Sequence, residues 1–262
     1  MELKLEGVGK RFGNRWIIKD VNLRIDGGEV VLVLGSNAAG KSTLLKMIAT
    51  IYRPTTGSIL LDGRNVVKDP KFMRGKVTFV PELPTLIDEI SLMDNLRFFA
   101  RLSGFKGSLM DVVRDYKLDD SRKAVMKLSK GMRQRLSLAV ALMKDPDVIV
   151  MDEPASGLDR ETVQLVLDKI KGFAQDGKIV VVASHDEEDL SKVATRVLVI
   201  EDSKVVFDGS IEKVESMRLF DVSVDGEVKT VKEEDLQKLE GYRILRVYGI
   251  RESIRRILRG EV

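Results

Sequence analysis

Residues 35–43 combine glycines, one lysine and hydroxyl side chains at a spacing that suits phosphate binding. They fit the pattern G-x-x-x-x-G-K-[ST] and comprise Gly35, Ser36, Asn37, Ala38, Ala39, Gly40, Lys41, Ser42 and Thr43. An apolar run precedes them and a helical pattern follows, so the loop would aim several N–H groups at one point. Lys41 would then meet the β- and γ-phosphates of a nucleotide, and the Ser42 hydroxyl would ligate Mg²⁺. A glycine-rich helix start without a ligand is the alternative.

Two adjacent carboxylates, Asp152 and Glu153, follow a second apolar run at 148–151. Asp152 suits the coordination shell of Mg²⁺, and Glu153 suits a base that takes a proton from attacking water. Paired acids at the end of a strand are commonly only solvated charge. Because a phosphate-binding loop precedes them in the chain, we favour the functional interpretation for both residues.

Three further motifs lie after the phosphate loop in the chain, the first before the carboxylate pair and the other two after it, in the order of a known family. They are Leu-Ser-Lys-Gly-Met-Arg-Gln-Arg at 128–135, Pro-Ala-Ser-Gly-Leu-Asp at 154–159 and Ser-His at 184–185. With these motifs the chain resembles the ATPase subunits of ATP-binding-cassette (ABC) transporters over about residues 2–216. The resemblance implies that Ser129 and Gly131 of one subunit face the ATP on the phosphate loop of another. A hydroxyl and bare N–H groups at a helix N-terminus suit an anion, although an ordinary basic helix start is the alternative.

The resemblance also assigns roles to four residues that are ambiguous alone. His185, the only histidine, matches a switch residue that hydrogen-bonds the γ-phosphate and holds attacking water, although a lone histidine is more often structural. Asp159 matches a residue that signals between the two nucleotide sites. Phe12 matches an aromatic residue that stacks on adenine, although a lone phenylalanine usually belongs to a core. Glu82 stands where the family generally has a glutamine that senses Mg²⁺ and water, and its carboxylate could still approach the metal.

Several positions depart from the commonest choices of that family. Ser36 and Ala38 replace Pro and Gly in the phosphate loop, and Lys130 and Met132 replace Gly and Gln in the 128–135 motif. If residue 38 has a positive φ angle, alanine there would add roughly 1–2 kcal/mol of strain. We expect such strain to weaken nucleotide binding without abolishing it.

Alternating strand and helix patterns predict the scaffold that positions these residues. Short β-branched runs typical of buried parallel strands occupy 30–34, 147–151, 179–183 and 197–200. We therefore predict an α/β fold. The resemblance makes it a P-loop NTPase core of the ABC ATPase type, with an antiparallel β-subdomain, a helical insert and a small α+β C-terminal extension. The predicted domains are 1–217 for the ATPase, with the helical subdomain at about 88–144, and 218–262 for the extension.

The predicted extension is a β-α-β-α fragment that ends in a basic helix. Apolar residues at Ile250, Ile254, Ile257 and Leu258 lie near one another on that helix, with arginines at i, i+4 spacing. Such a helix could lie on anionic lipid or dock a partner. We favour packing on its own domain with a solvated basic face, because the run is short and interrupted by Glu252.

Bulk composition limits the alternatives. A net charge of +3 over 262 residues gives no reason to expect nucleic acid, and zero cysteines removes disulfides and thiolate chemistry. No apolar run approaches the roughly 18 residues of a spanning helix, and the N-terminus lacks the apolar stretch of a signal peptide. The absence of cysteine fits a reducing cytoplasm. The resemblance implies a cytoplasmic protein that is held at the inner face of the cell membrane by a transmembrane permease subunit. By resemblance, residues 83–99 would contact that subunit through exposed apolar residues such as Leu86 and Ile87.

These inferences predict an ATPase that forms a homodimer, or pairs with another ABC subunit, around ATP and Mg²⁺ and powers translocation by the permease. A non-transport ABC ATPase acting on DNA or ribosomes is the alternative. Relatives of that kind carry long coiled coils, zinc-binding cysteines or two cassettes, which this sequence lacks. An inactive regulatory cassette, which binds nucleotide without turnover, is a third alternative.

Overall fold

The computed structural model describes residues 1–118, 122–185, 187–224, 227–236, 238–239 and 242–261. Within these residues the chain forms three β-sheets with helices packed against them. Short 3₁₀ turns lie at Val125–Lys127 and Leu190–Lys192. In chain order the strands and helices are β1 (Glu2–Phe12), β2 (Arg15–Asp26), β3 (Val30–Gly35), α1 (Lys41–Ile48), β4 (Thr56–Leu61), β5 (Arg64–Asn65), α2 (Pro70–Lys76), β6 (Val77–Val80), α3 (Leu92–Ser103), α4 (Leu109–Asp115), α5 (Lys130–Leu142), β7 (Val148–Asp152), α6 (Arg160–Gln175), β8 (Ile179–Ala183), β9 (Arg196–Glu201), β10 (Lys204–Ser210), α7 (Ile211–Ser216), β11 (Leu219–Val224), β12 (Glu227–Lys232), α8 (Glu233–Leu236), β13 (Arg243–Val247) and α9 (Ile250–Leu258).

The largest sheet positions the predicted site residues. Its six strands have the order β10-β9-β3-β8-β7-β6, and β9, β3, β8, β7 and β6 run parallel to one another. Every residue of β3, β7 and β8 is buried, because protein covers both faces of the sheet. The four predicted buried strands are all present, although β7 begins one residue later than expected. The predicted α/β fold class is therefore confirmed.

Alternate side chains of β3 belong to two different hydrophobic cores. On one face, Val33 packs in a cluster with α1 and with the antiparallel sheet β2-β1-β4-β5, which contributes Leu5 and Ile18. On the other face, Leu32 packs in a cluster with α5 and α6, which contribute Leu136 and other apolar side chains. The strand that leads into the phosphate loop is thus fixed from both sides.

Helices dominate residues 88–144, as the sequence predicts. Ser91, Ser108 and Ser129 begin α3, α4 and α5, and each side-chain oxygen accepts a hydrogen bond from the N–H three residues later. Between 92 and 142 the described residues, which leave out 119–121, contain no strand. Where the helical subdomain begins and ends stays a prediction.

The segment 83–99 differs from the expectation in its exposed side chains. Leu86 and Ile87 are half-buried, so the prediction that they are exposed is wrong. Leu86 packs against the core. The N–H of Ile87 donates to Oδ1 of Asn95, and Nδ2 of Asn95 donates to the carbonyl oxygen of Ile87, each at 2.9 Å. The exposed apolar side chains of this segment are instead Leu83, which is 79% exposed, and Phe98 on α3. Leu102, also exposed, lies on the same helix just beyond the segment.

The C-terminal region forms a three-stranded sheet of order β12-β11-β13, followed by α9. The predicted β-α-β-α pattern was wrong in omitting β12. That strand carries charged residues at three of its six positions and lies at an edge of the sheet, where no continuous apolar face is needed. An alternation pattern therefore does not reveal it.

The last helix, α9, packs against the ATPase core. Ile250 and Ile254 are fully buried in the same cluster as Leu32, so the helix packs on the larger domain and not, as predicted, on its own small domain. Leu258 is exposed. All of β13 is exposed, including Ile244 and Leu245.

Candidate nucleotide site

The phosphate loop lies between the last residue of β3, Gly35, and the first residue of α1, Lys41. Gly40 has a φ of 113°, and a Cβ there would lie 2.8 Å from the carbonyl oxygen of Ile17. A Cβ on Gly35 would clash with the carbonyl oxygen of Ile200. Both positions therefore require glycine, and the backbone of the loop can approach a ligand closely.

Ala38 occupies the left-handed region of backbone conformation. Its φ is 63°, so the condition under which we predicted strain is met. For a residue with a Cβ, this conformation is less stable than the right-handed one by roughly 1–2 kcal/mol. The next residue, Ala39, is buried, and its N–H donates to the carbonyl oxygen of Ser36 at 3.1 Å.

Lys41 is buried within its own loop. Its Nζ donates to the carbonyl oxygens of Gly35 at 2.7 Å and Ser36 at 3.3 Å. Burial lowers the pKa of Lys41, the carboxylates of Glu153 and Asp152 oppose this, and the positive charge of Arg251 lowers it further. Both hydrogen bonds of the ammonium group thus go to carbonyl oxygens of the loop, and the carboxylates act on it only through their charge.

Asp152, the last residue of β7, is a buried carboxylate next to α1. Burial raises the pKa of Asp152, and the negative charges of Glu153 and Glu82 raise it further, while a hydrogen bond from Ser42 lowers it. Carboxylate and hydroxyl oxygens that converge on one point suit Mg²⁺. Among the described residues no cluster of three or more His, Cys, Asp or Glu could hold a metal alone. A cation here would therefore need hydroxyl or phosphate oxygens as well.

Glu153 and His185 form a direct pair. Glu153 has a φ of 50°, and its N–H donates to the carbonyl oxygen of Ala183 at 2.9 Å. Oε2 of Glu153 lies 2.8 Å from Nδ1 of His185 and accepts a hydrogen bond from the Ser184 hydroxyl at 3.1 Å. The carboxylate is mostly buried, whereas the imidazole is 54% exposed. This leaves the imidazole in contact with solvent at the cavity while the carboxylate fixes its orientation.

The phosphate loop, Glu153 and His185 line an open cavity of about 630 Å³, whereas Asp152 and Gly35 are buried and do not line it. Phe12 lies at its side, 47% exposed, with its ring edge-to-face against Tyr52 at a centroid distance of 5.5 Å. An exposed ring face of this kind suits stacking on a planar base. The cavity brings together most of the predicted site residues: Phe12, Ser36, Asn37, Ala38, Ala39, Gly40, Lys41, Ser42, Thr43, Glu82, Glu153 and His185.

Sequence reasoning missed two residues that line this cavity, Arg15 and Ile17. Arg15 pairs with Phe12 across the tight turn between β1 and β2. The signal was the Gly13-Asn14 pair, a hairpin turn that places residue 15 opposite residue 12. Ser184 was noted as part of a motif, but its hydrogen bond to Glu153 could not be anticipated.

Ser129, Gly131 and Asp159 are close to one another and do not line the cavity. Ser129 is exposed, and its Oγ accepts the N–H of Met132 at 3.2 Å. A Cβ on Gly131 would lie 2.7 Å from Oδ2 of Asp159 and 2.9 Å from Oγ1 of Thr162. The motif at 128–135 therefore fits against the start of α6 only with glycine at this position.

Asp159 begins α6. Its Oδ1 accepts the backbone N–H of Thr162 at 2.9 Å, and its Oδ2 accepts the hydroxyl of the same residue at 3.0 Å. These two hydrogen bonds lower the pKa of Asp159, because both favour the ionised carboxylate. Lys130, one of the departures from the family, donates from Nζ to the carbonyl oxygen of Ser156 at 2.7 Å. It thereby ties the 128–135 motif to the 154–159 motif.

The fold and the loop between β3 and α1 define a P-loop nucleoside triphosphatase. A family model described as ABC transporter matches residues 18–156, and the chain belongs to this family. It is an ATP-binding subunit that hydrolyses ATP. The described residues contain no helix that is long and apolar enough to cross a membrane.

Similar proteins and structures agree with this assignment. The ABC transporter ATP-binding protein NatA of Bacillus subtilis is 34% identical over 214 residues, covering 79% of this chain and 87% of that protein. Nod factor export ATP-binding protein I of Burkholderia lata is 32% identical, covering 79% of this chain and 70% of that protein. A dimeric ATP-binding cassette in a post-hydrolysis state, bound to ADP and Pi, is 26% identical with a TM-score of 0.71. That structure aligns with 80% of this chain and 98% of its own.

Proposed function

We propose that two copies of this subunit close on two molecules of Mg-ATP, and that hydrolysis drives a separate transmembrane subunit. The observation that carries the proposal is the separation of two sets of residues. Lys41, Glu153 and His185 line the cavity, whereas Ser129 and Gly131 lie at the start of α5, outside it. A second copy would be needed to bring the N-terminus of α5, with Ser129 and Gly131, to the γ-phosphate. The dimeric relative bound to ADP and Pi supports this arrangement.

ATP binding would use the loop and the cavity as follows. The N–H groups of residues 36–42 would hold the phosphates, and Phe12 would stack on the adenine. Nζ of Lys41 would exchange the carbonyl oxygens of Gly35 and Ser36 for phosphate oxygens. The exchange replaces two neutral acceptors with a charged one, which strengthens the interaction.

Three oxygen-bearing side chains of this chain would hold Mg²⁺, namely Ser42, Asp152 and Glu82. When bound, the cation would balance the negative charge of the phosphates. Asp152 supports this assignment, because its carboxylate is buried and accepts a hydrogen bond from Ser42. Burial and the negative charges of Glu153 and Glu82 raise its pKa, and a bound cation would favour the ionised form. Glu82 lies close enough to affect the pKa of Asp152.

Glu153 would act as the base for the attacking water. Both hydrogen bonds described above fall on Oε2, so we assign Oε1 to the water. As the water oxygen bonds to the γ-phosphorus and the bond to the β-phosphate oxygen breaks, the proton passes to Glu153. Nδ1 of His185 faces Glu153, so Nε2 would donate to a γ-phosphate oxygen in the imidazolium form, in which both ring nitrogens carry a proton. Catalysis would then be positioning and charge stabilisation.

The membrane partner would dock beside α3. Leu83, Phe98 and Leu102 are exposed there, and a second cavity of about 670 Å³ is lined partly by Phe98, Arg101 and Leu102. Exposed apolar side chains rimmed by charge suit a protein partner. Docking there would hold the subunit at the cytoplasmic face of the membrane. The names of the Nod factor export relatives support export as the direction of transport.

Co-purification tests this proposal. Leu102→Glu should abolish co-purification with an integral membrane protein while the isolated subunit keeps its ATPase activity. Met110→Glu is the matched control, because Met110 is similarly exposed but lies on α4. Co-purification with ribosomes or DNA in place of a membrane protein would favour the non-transport alternative.

A further inference from the structure

The loop that carries His185 is bonded to the last helix of the chain. Glu187, two residues after His185, directs its carboxylate at the first turn of α9. Its Oε2 accepts the backbone N–H of Arg251 at 3.1 Å, and the N–H of Ile250 also donates to the carboxylate. Gly249, which precedes α9, has no side chain that could cap it. Glu187 therefore supplies the N-terminal cap of α9 from a distant part of the sequence.

The contact is closely fitted. A Cβ on Gly249 would clash with Oε1 of Glu187, so the carboxylate reaches the helix only because glycine precedes it. Burial raises the pKa of Glu187, while the N–H groups of Arg251 and Ile250 lower it. The carboxylate has given up water for these hydrogen bonds, which makes the contact sensitive to loss of the acceptor.

Helix α9 is held in place by buried contacts, so it can anchor the loop that carries Glu187. Ile250 and Ile254 are buried in the same core cluster as Leu190, which belongs to the turn that follows Glu187. Oγ of Ser253 is buried and accepts the N–H of Leu219 at 3.1 Å. The helix is thus fixed both to the six-stranded sheet and to β11, so its first turn cannot shift without disturbing the core.

The first turn of α9 is also within electrostatic range of the phosphate loop. Burial lowers the pKa of Lys41, and the positive charge of Arg251 on α9 lowers it further. The first turn of α9 is therefore near the nucleotide site, and its bond to Glu187, two residues from His185, places it there as well.

We propose that Glu187 is a positioning residue for ATP hydrolysis. By capping α9 it anchors the loop from which His185 reaches Glu153, and the C-terminal extension thereby sets the turnover rate. The proposal rests on the role of His185 given under the proposed function.

A double-mutant cycle between Glu187 and His185 tests this inference. Steady-state ATPase kinetics would be measured for Glu187→Ala, Glu187→Gln, His185→Ala and the Glu187→Ala/His185→Ala double variant. Glu187→Ala should lower kcat about 10- to 100-fold, the range expected when a catalytic group is misplaced, with KM for ATP changed less than about twofold. Glu187→Gln should lose less, because its amide oxygen still accepts an N–H. In the His185→Ala background, Glu187→Ala should add less than about a twofold loss.

Two controls separate positioning from a general loss of structure. Glu252→Gln changes an exposed carboxylate on the same turn of α9, which pairs with Arg246, and should leave kcat unchanged. Hydrogen–deuterium exchange should increase at residues 187–190 in Glu187→Ala, with exchange in β3 and β7 unaltered. An unchanged kcat in Glu187→Ala, or an equal loss in both backgrounds, would overturn the inference. If His185→Ala itself kept the wild-type rate, the proposed role of His185 would fail, and this coupling with it.

Discussion

His185 Nδ1 lies 2.8 Å from Glu153 Oε2, and the order of the strands brings the two residues near each other. β7 and β8 are adjacent parallel strands, with Asp152 opposite Ala183. The residue after β7 and the second residue after β8 therefore emerge at the same edge of the sheet. A carboxylate and an imidazole are brought together by strand order alone, next to the loop that follows β3.

Glu153→Gln should bind ATP and form the nucleotide-bound dimer but hydrolyse ATP about 10²- to 10⁴-fold more slowly, because an amide cannot take a proton from water. Phosphate release measures turnover, and size-exclusion chromatography with ATP measures the dimer. Glu252→Gln, on the exposed side of α9, serves as the control. Hydrolysis at the wild-type rate in Glu153→Gln would remove Glu153 from its role as base.

Ala38→Gly should stabilise the protein by up to about 1 kcal/mol. Glycine relieves the strain of the positive φ, roughly 1–2 kcal/mol, and gives back part of it through the greater freedom of the unfolded chain. Ala39→Gly is the matched control. That residue is buried and has no positive φ, so the same change should destabilise the fold. Urea unfolding measures both, and the same sign for the two variants would contradict the strain argument.

Gly131→Ala should impair the interface between the 128–135 and 154–159 motifs. The new methyl group would press on the Asp159 carboxylate and the Thr162 hydroxyl, which must move to admit it. We expect a lower melting temperature and weaker ATP-dependent dimerisation. Gly172→Ala, within α6, meets nothing within 4 Å and should raise stability, since alanine favours helix by about 1 kcal/mol. Equal effects of the two substitutions would show that the contact is unimportant.

Asp159 should contribute stability that is lost in acid. Its folded pKa lies below the unfolded value of about 3.9, so its contribution is complete above that value and disappears as pH falls through the lower folded pKa. The difference in unfolding free energy between wild type and Asp159→Asn should be constant above about pH 5 and shrink below about pH 4. Asp176→Asn, at the other end of α6, is the control. A difference that grows in acid would contradict the assignment.

Local patterns predicted the buried strands of the six-stranded sheet and the residues that meet at its edge. The strand, the loop and the helix around Lys41 are consecutive in sequence, so spacing alone places Gly35 and Ser42. Asp152 ends β7, and Glu153 and His185 follow β7 and β8 closely. Parallel strands deliver the residues at their ends to one edge of the sheet. For these residues, a correct strand prediction therefore predicts that they lie together, while their roles stay predictions.

Contacts between distant segments could not be predicted in this way. Nothing in the pattern around Glu187 indicates that its carboxylate meets α9, which lies more than sixty residues later. Leu86 was expected to be exposed, but its burial depends on how the 83–91 segment folds onto the core, which periodicity does not encode. Strand β12 was missed because an edge strand can be rich in charge.

The exposed strand β13 has a consequence for how the protein behaves in concentrated solution. Its outer edge presents Ile244 and Leu245 between Arg243 and Arg246, all of them accessible. An open sheet edge invites pairing with the same edge of another molecule, and like charges beside the apolar residues oppose that pairing. Repulsion between the arginines of two molecules therefore opposes aggregation through this edge, and added salt weakens the repulsion by screening it.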